Sequence, residues 1–276
     1  MQKTFIYKNV SISYRTEGKG NPVVLLHGFG EDSQIFDQQI AFLKDHCLLI
    51  VPDLPGTGKS ALLVSGKQIP VTGNQNPATV SIEDYADCIK ALLEEEKVNK
   101  CILLGHSMGG YITLAFAEKY PGSLTRFGLI HSSAFADSEE KKRNRQRGIE
   151  LMERYGAYSF LKNTIPNLFS QQFKEAFPAK LESLIEASKQ FSTEACQQYY
   201  RAMMNRPDRT NVLKGNPLPV LFVIGTEDVA APLNDLNGQI HLPLCSYIHI
   251  IENVGHMSMW EAPELLNSYL LEFIIG

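Results

Sequence analysis

The sequence predicts an α/β protein: a mostly parallel sheet of eight strands, helices on both faces, and a helical cap inserted before the last strands. Three observations carry that reading. Short continuous apolar runs at residues 23–26, 47–51, 101–104 and 218–224 alternate with helix-length periodic segments, the pattern of strands covered on both faces by crossover helices. Each run gives way at its end to a glycine-rich or polar loop, where a parallel sheet gathers its ligand-binding groups. Residues 134–213, by contrast, show helical periodicity and no alternating strand pattern.

The elements follow in order. Residues 5–7 and 12–15 read as short strands forming an antiparallel edge, and the cluster Gly18-Lys-Gly-Asn-Pro22 turns the chain into the strand at 23–26. That strand ends in His27-Gly28-Phe29-Gly30. Ser33 is placed to cap a helix whose apolar face is Ile35, Phe36, Ile40 and Leu43, and residues 47–51 are the next buried strand. The segment that follows closes with Gly58-Lys59-Ser60, like a phosphate-cradling loop, but such a loop needs glycine where Asp53 stands, and a carboxylate there would repel phosphate. Residues 61–79 read as a long loop. Ser81-Ile-Glu-Asp84 is a capping box opening a helix with Ile82, Tyr85, Ala86, Ile89, Leu92 and Leu93 on its apolar face. Strand 101–104 then runs into Gly105-His106-Ser107-Met108-Gly109, a helix follows from Tyr111, Pro121-Gly122 breaks it, and residues 127–131 are another short strand.

The cap carries breaks at Gly148, Gly156, Pro166, Pro178 and Pro207 and is rich in aromatic residues and methionine. Residues 1–133 and 214–276 thus form the core, with 134–213 as the insertion. Phe135, Tyr155, Tyr158, Phe160, Tyr199 and Met203 of the cap, with Trp260 beyond it, are the candidate substrate-binding residues, suited to a largely apolar pocket. The one basic cluster, Lys141-Lys-Arg-Asn-Arg-Gln-Arg147, follows Glu139-Glu140 and reads as a solvated helix face. Arg201, Arg206 and Arg209 bear on an anionic substrate only if they face inward. Strands at 218–224 and 247–251 complete the sheet and end in Gly225-Thr-Glu227-Asp228 and Glu252-Asn-Val-Gly255-His256; Pro263 opens the closing helix.

Composition bounds the function. The chain has 276 residues, 44% hydrophobic and 20% charged, with a net charge of −4, which gives no reason to expect nucleic acid as a partner. Five cysteines are scattered without metal-ligand spacing, and no apolar stretch approaches the roughly 18 residues that span a bilayer. The expectation is a cytoplasmic protein, monomer or homodimer, acting on a small molecule without nucleic-acid or membrane partners.

The chemistry centres on Ser107. A residue in a sharp strand-to-helix turn holds its side chain clear only if its neighbours two before and two after lack side chains, as Gly105 and Gly109 do. A serine hydroxyl needs a base, and the base needs a carboxylate to fix its tautomer. His256 and Asp228 lie in loops at the same sheet edge, and the order Ser, Asp, His suits a nucleophile on such an elbow.

Over nearly its whole length the chain resembles the α/β-hydrolase fold superfamily, in its serine-nucleophile, cap-bearing branch of esterases and carbon–carbon bond hydrolases. The resemblance rests on His27-Gly28, Asp53-x-x-Gly56-x-Gly58-x-Ser60, Gly105-His-Ser-Met-Gly109, Gly225-x-x-Asp228-x-x-x-Pro232, and Gly255-His256 with Glu261 and Pro263. It implies an oxyanion hole from the backbone N–H groups of Phe29 and Met108, no metal and no cofactor. It makes residues 53–60 a family turn. Some members of the superfamily take the acid from the loop after the preceding strand, where Asp137 lies, and Glu227 adjoins Asp228; Asp228 is favoured. His106 is expected to pack beneath the elbow and His27 to bond its own loop, with His46, His131, His241 and His249 structural. The activity expected is hydrolysis of an ester or related acyl bond of a small to medium, largely apolar substrate through an acyl-enzyme on Ser107. The alternatives are carbon–carbon bond hydrolysis or lyase chemistry on the same triad, or a ligand receptor of the same fold with little turnover.

Overall fold

The computed structural model describes residues 1–64 and 80–276, so most of the expected loop at 61–79 lies outside the described residues. Eight strands form one sheet: β1 Gln2–Tyr7, β2 Val10–Gly18, β3 Pro22–Leu26, β4 Leu48–Pro52, β5 Cys101–His106, β6 Leu124–Ile130, β7 Val220–Gly225 and β8 Ser246–Ile251. Their spatial order is β1-β2-β4-β3-β5-β6-β7-β8. β1 and β2 pair antiparallel with each other, and β2 with β4; every later pairing is parallel. The predominantly apolar strands β3, β5 and β7 are buried along almost their whole length, because helices cover both faces.

The helices are α1 Asp37–Leu43, α2 Ile82–Glu95, α3 Met108–Lys119, α4 Glu139–Thr164, α5 Gln171–Ala176, α6 Pro178–Ala187, α7 Thr193–Met204, α8 Thr210–Leu213, α9 Leu233–Leu236, α10 Ser258–Glu261 and α11 Pro263–Ile275. One core lies on the α2 and α3 side of the sheet, with Leu103, Phe116, Phe127 and Phe222. The other lies on the α1 and α11 side, with Leu25, Leu43, Leu104 and Phe273. The capping box of α2 forms as read: Ser81 Oγ accepts from Asp84 N while the Asp84 carboxylate accepts from Ser81 N, an arrangement typically contributing about 1 kcal/mol.

Between β6 and β7 the chain is helical, with α4 to α8 and no strand among the described residues. Two local expectations need correction. Asp32, not Ser33, caps the turn before α1, its carboxylate accepting from Gln34 N at 2.9 Å; Ser33 is the first residue of a 3-10 turn instead. Gly148 does not break the cap helix. It is a packing glycine inside α4, where a Cβ would lie 2.7 Å from the Tyr200 ring and 3.2 Å from that of Phe160. Gly156 does interrupt α4, at φ 81° and ψ 158°, a conformation glycine adopts without steric cost.

Candidate active site

The site is built where β5 turns into α3. Ser107 has φ 52° and ψ −115°, a region L-residues rarely occupy, and although it stands at the N-cap of α3 its side chain makes no capping bond. A serine in that position ordinarily spends its oxygen on a helix N–H; here the hydroxyl is not committed to the helix. The turn is possible only because its flanking residues are glycines. A Cβ on Gly105 would meet Gly109 carbonyl atoms at 2.2 Å, and one on Gly109 would meet Leu26 O at 2.3 Å. Gly28 is less tightly constrained, since a Cβ there would stand 3.0 Å from Ser107 Cβ.

Asp228 and His256 come from neighbouring strand ends. The close approach of β7 to the loop after β8 depends on Gly225, whose added Cβ would lie 2.3 Å from Gly255 O. His256 Nδ1 donates to Asp228 Oδ2 at 2.8 Å, leaving Nε2 as the nitrogen free to take a proton. Asp228 Oδ1 accepts from Ala230 N at 2.9 Å and Ala231 N at 2.8 Å. Burial works against ionising Asp228, but the charge of His256 and the bonds from His131 and His256 outweigh it, so its pKa lies well below the ordinary value. For His256 burial likewise disfavours the charged form, and the Asp228 carboxylate more than offsets it, raising the pKa. Among the described residues no hydrogen bond joins Ser107 Oγ to His256; in unliganded sites this leg is commonly long and closes with substrate.

The loop bearing His256 is pinned by Glu261, whose carboxylate accepts from Gly255 N, Met257 N and Ser170 N, and by His256 N donating to Leu168 O at 2.7 Å. Met108 is the first residue of α3, so its N–H has no partner within the helix, and Phe29 lies in the loop packed beside Ser107 through Gly28. Among the described residues neither N–H donates to a loop or cap acceptor. Asp53 serves its own turn, accepting from Ser33 N at 3.1 Å and Lys59 N at 3.0 Å.

Two groups of the site were missed in the sequence. His131, expected to be merely structural, follows β6 at φ 50°; its Nδ1 donates to Asp228 Oδ2 at 3.0 Å and its Nε2 pairs with Ser258 Oγ at 2.8 Å. Its position at the strand's end, on the same edge as Ser107 and Asp228, was the available signal. Glu31 is buried and accepts from Gly28 N at 2.7 Å; it also pairs with His106 Nδ1 at 3.0 Å, and His106 Nε2 donates to His256 O at 2.9 Å. The loop of Gly28 and Phe29, the elbow and the His256 loop are thereby joined through one buried chain. His131, Asp228 and His256 offer ligand atoms within 4.8 Å of one another, but the hydrogen bonds account for the grouping.

Asp137, the alternative acid, lies elsewhere: it pairs with Arg145 and Arg206. Of the candidate pocket residues, Phe160 packs edge-on to Phe29 with ring centres 6.5 Å apart, beside the loop that follows β3. Four others are spent differently. Tyr155 is exposed, Tyr158 bonds Glu186 on the outer face of the cap, Tyr199 is core with its hydroxyl on Pro55 O, and Met203 is core. Phe135 is half-buried against Gly238, and Trp260 is half-buried on the α1 and α11 side of the sheet. Arg206 and Arg209 do turn inward, but onto carboxylates: Asp137 for the former, Glu83 and Glu118 for the latter.

The alpha/beta hydrolase family model matches residues 23–268. The chain belongs to that family. As an α/β hydrolase it is an enzyme, and the proteins it resembles include esterases and other hydrolases. An esterase from Thermogutta terrifontis, solved with malate bound, superposes with a TM-score of 0.88 at 27% identity, covering 99% of this chain and 97% of that one. A 2-hydroxy-6-oxononadienedioate/2-hydroxy-6-oxononatrienedioate hydrolase from Paraburkholderia phymatum is 25% identical over 95% of this chain and 90% of its own length. A pimeloyl-[acyl-carrier protein] methyl ester esterase from Pectobacterium carotovorum is 26% identical over 82% of this α/β hydrolase and 76% of its own length. No helix among the described residues is long and apolar enough to cross a membrane.

Proposed function

We propose that this α/β hydrolase cleaves an ester or related acyl bond of a small to medium substrate through an acyl-enzyme on Ser107. The observation that carries the reading is the serine itself, held at φ 52° between β5 and α3 with its hydroxyl uncommitted to the helix. Ser107 Oγ attacks the acyl carbon while His256 Nε2 takes its proton. Asp228 fixes the tautomer and stabilises the imidazolium. The N–H groups of Phe29 and Met108 receive the negative oxygen, each such donor contributing roughly a hundred- to a thousandfold in rate because the charge develops only in the transition state. His256 returns its proton to the leaving alcohol, then activates water to release the acid. All five cysteines are free, four of them buried, which suits a reducing compartment, and we place the protein in the cytoplasm as a monomer or homodimer.

The test is hydrolysis of a 4-nitrophenyl ester series by the wild type and by Ser107→Ala, with intact-mass detection of acyl-enzyme. Multiple turnovers in the wild type, an acyl adduct on Ser107, and a loss of roughly 10⁴- to 10⁶-fold in the variant are the expected results. Equal activity in the two proteins overturns the mechanism. A single slow burst in the wild type shifts the reading to the receptor.

A further inference from the structure

Within the basic run at residues 141–147, Arg145 shares a helical face with Gly148, Ile149 and Met152, all three buried, and this turns it into the cap rather than out to solvent. Its side chain is 18% exposed. Because Gly148 has no side chain, Tyr200 and Phe160 close against α4. The Tyr200 ring centre is 4.4 Å from that of Phe29, in the oxyanion loop, and the Arg145 guanidinium lies 5.2 Å from the Tyr200 ring centre. A cation therefore stands one aromatic ring away from the loop that faces Ser107.

The local charges do not balance. Asp137 is shared: Oδ2 accepts from Arg145 Nε, and Oδ1 from Arg206 Nη1 at 2.8 Å. Arg206 is held by further bonds to Met203 O and Phe135 O and lies 3.7 Å over the ring of Tyr111, which is four residues beyond Ser107 on α3. Among the described residues Nη1 and Nη2 of Arg145 donate to nothing, and residues 65–79 contain no aspartate or glutamate that could pair with them. Two guanidiniums against one carboxylate leave an excess positive charge beside aromatic rings, and the partly accessible Nη1 and Nη2 of Arg145 present the edge for which a carboxylate is the matching partner.

We propose that Arg145 determines specificity by binding a carboxylate carried by the substrate, so that the enzyme acts on anionic, carboxylate-bearing acyl compounds rather than wholly apolar ones. This deepens the Ser107 reading and rests on it for turnover only. The kinetic arm compares mono-(4-nitrophenyl) adipate with 4-nitrophenyl hexanoate on the wild type, Arg145→Met and Arg145→Lys. In Arg145→Met, kcat/KM for the adipate ester falls roughly ten- to a hundredfold further than for the hexanoate, mainly through KM. Arg145→Lys recovers part of the loss, since it keeps the charge and lacks the fork. The binding arm needs no turnover: succinate, glutarate and adipate are titrated calorimetrically into Ser107→Ala and into Ser107→Ala/Arg145→Met. Saturable binding that disappears in the double variant supports the proposal. Equal losses on both esters, with dicarboxylate binding absent or indifferent to Arg145, overturn it. If the wild type cleaves neither ester while binding still requires Arg145, the Ser107 reading fails and the carboxylate site stands.

Discussion

At the scale of single residues, one oxygen ties two histidines together. Asp228 Oδ2 accepts from His256 Nδ1 and from His131 Nδ1, so the two imidazoles share one acceptor. Burial pushes His131 down to about 4, more than its bond to Asp228 restores, so it is neutral at physiological pH and donates a single N–H. In the proposed mechanism His256 serves as the base and must be neutral, and the Asp228 carboxylate raises its pKa; kcat/KM is therefore expected to fall as pH drops through a value above the 6.5 of a free imidazole. In His131→Phe, Oδ2 is left to His256 alone, the imidazolium is better stabilised, and the acid limb of kcat/KM moves to higher pH by about half a unit to one unit. A uniform fall in activity with the limb unmoved would make His131 structural only. The strand-end positions of Ser107, Asp228 and His256 were legible because glycine spacing and loop order depend on chain sequence alone. His131 and Arg145 were not singled out, because their roles depend on which way a strand end and a helix face point.

At the scale of elements, the elbow is a steric device and its tolerance is measurable. The Cβ of Gly109→Ala falls 2.3 Å from Leu26 O, a backbone atom of β3 that cannot move without disturbing the sheet. That substitution should cost at least about 2 kcal/mol. Gly122, in the 3-10 turn after α3, has nothing within 4 Å of its added Cβ, so Gly122→Ala should stay within about 0.5 kcal/mol. Urea unfolding of both variants checks the pair, and equal effects would mean that the elbow relaxes around a methyl group. The strands, α2 and the nucleophile turn were readable because periodicity and turn chemistry are local. The aromatic residues of the cap were not: Tyr155, Tyr158 and Tyr199 belong to one compositional class, yet one is exposed, one bonds the outer surface and one is core. Their fates follow from how α4 and α7 pack on each other, which composition leaves open.

At the scale of the whole molecule, the buried histidine beside Asp228 ties stability to pH. The unfolded chain binds a proton at His131 near pH 6.5, whereas the folded protein holds it neutral down to about pH 4. Between those values the unfolded state binds more protons, so stability falls as pH falls, by at most about 3 kcal/mol from this group. His249, also lowered by burial, has the same sign. His256 has the opposite sign: its raised pKa gives stability that is fully present below pH 6.5 and lost as pH rises through its folded value. The buried carboxylates of Glu31, Asp137 and Asp228, all lowered, hold their contribution until the pH nears 4 and lose it below. Urea midpoints should therefore decline from pH 6.5 to 4 before the steeper acid loss begins. In His131→Gln, whose amide does not titrate, the decline over that interval should flatten even though the protein is less stable at pH 7. An unchanged slope in the variant would place the acid sensitivity elsewhere, and would mean that His131 charges readily in the folded protein despite its burial.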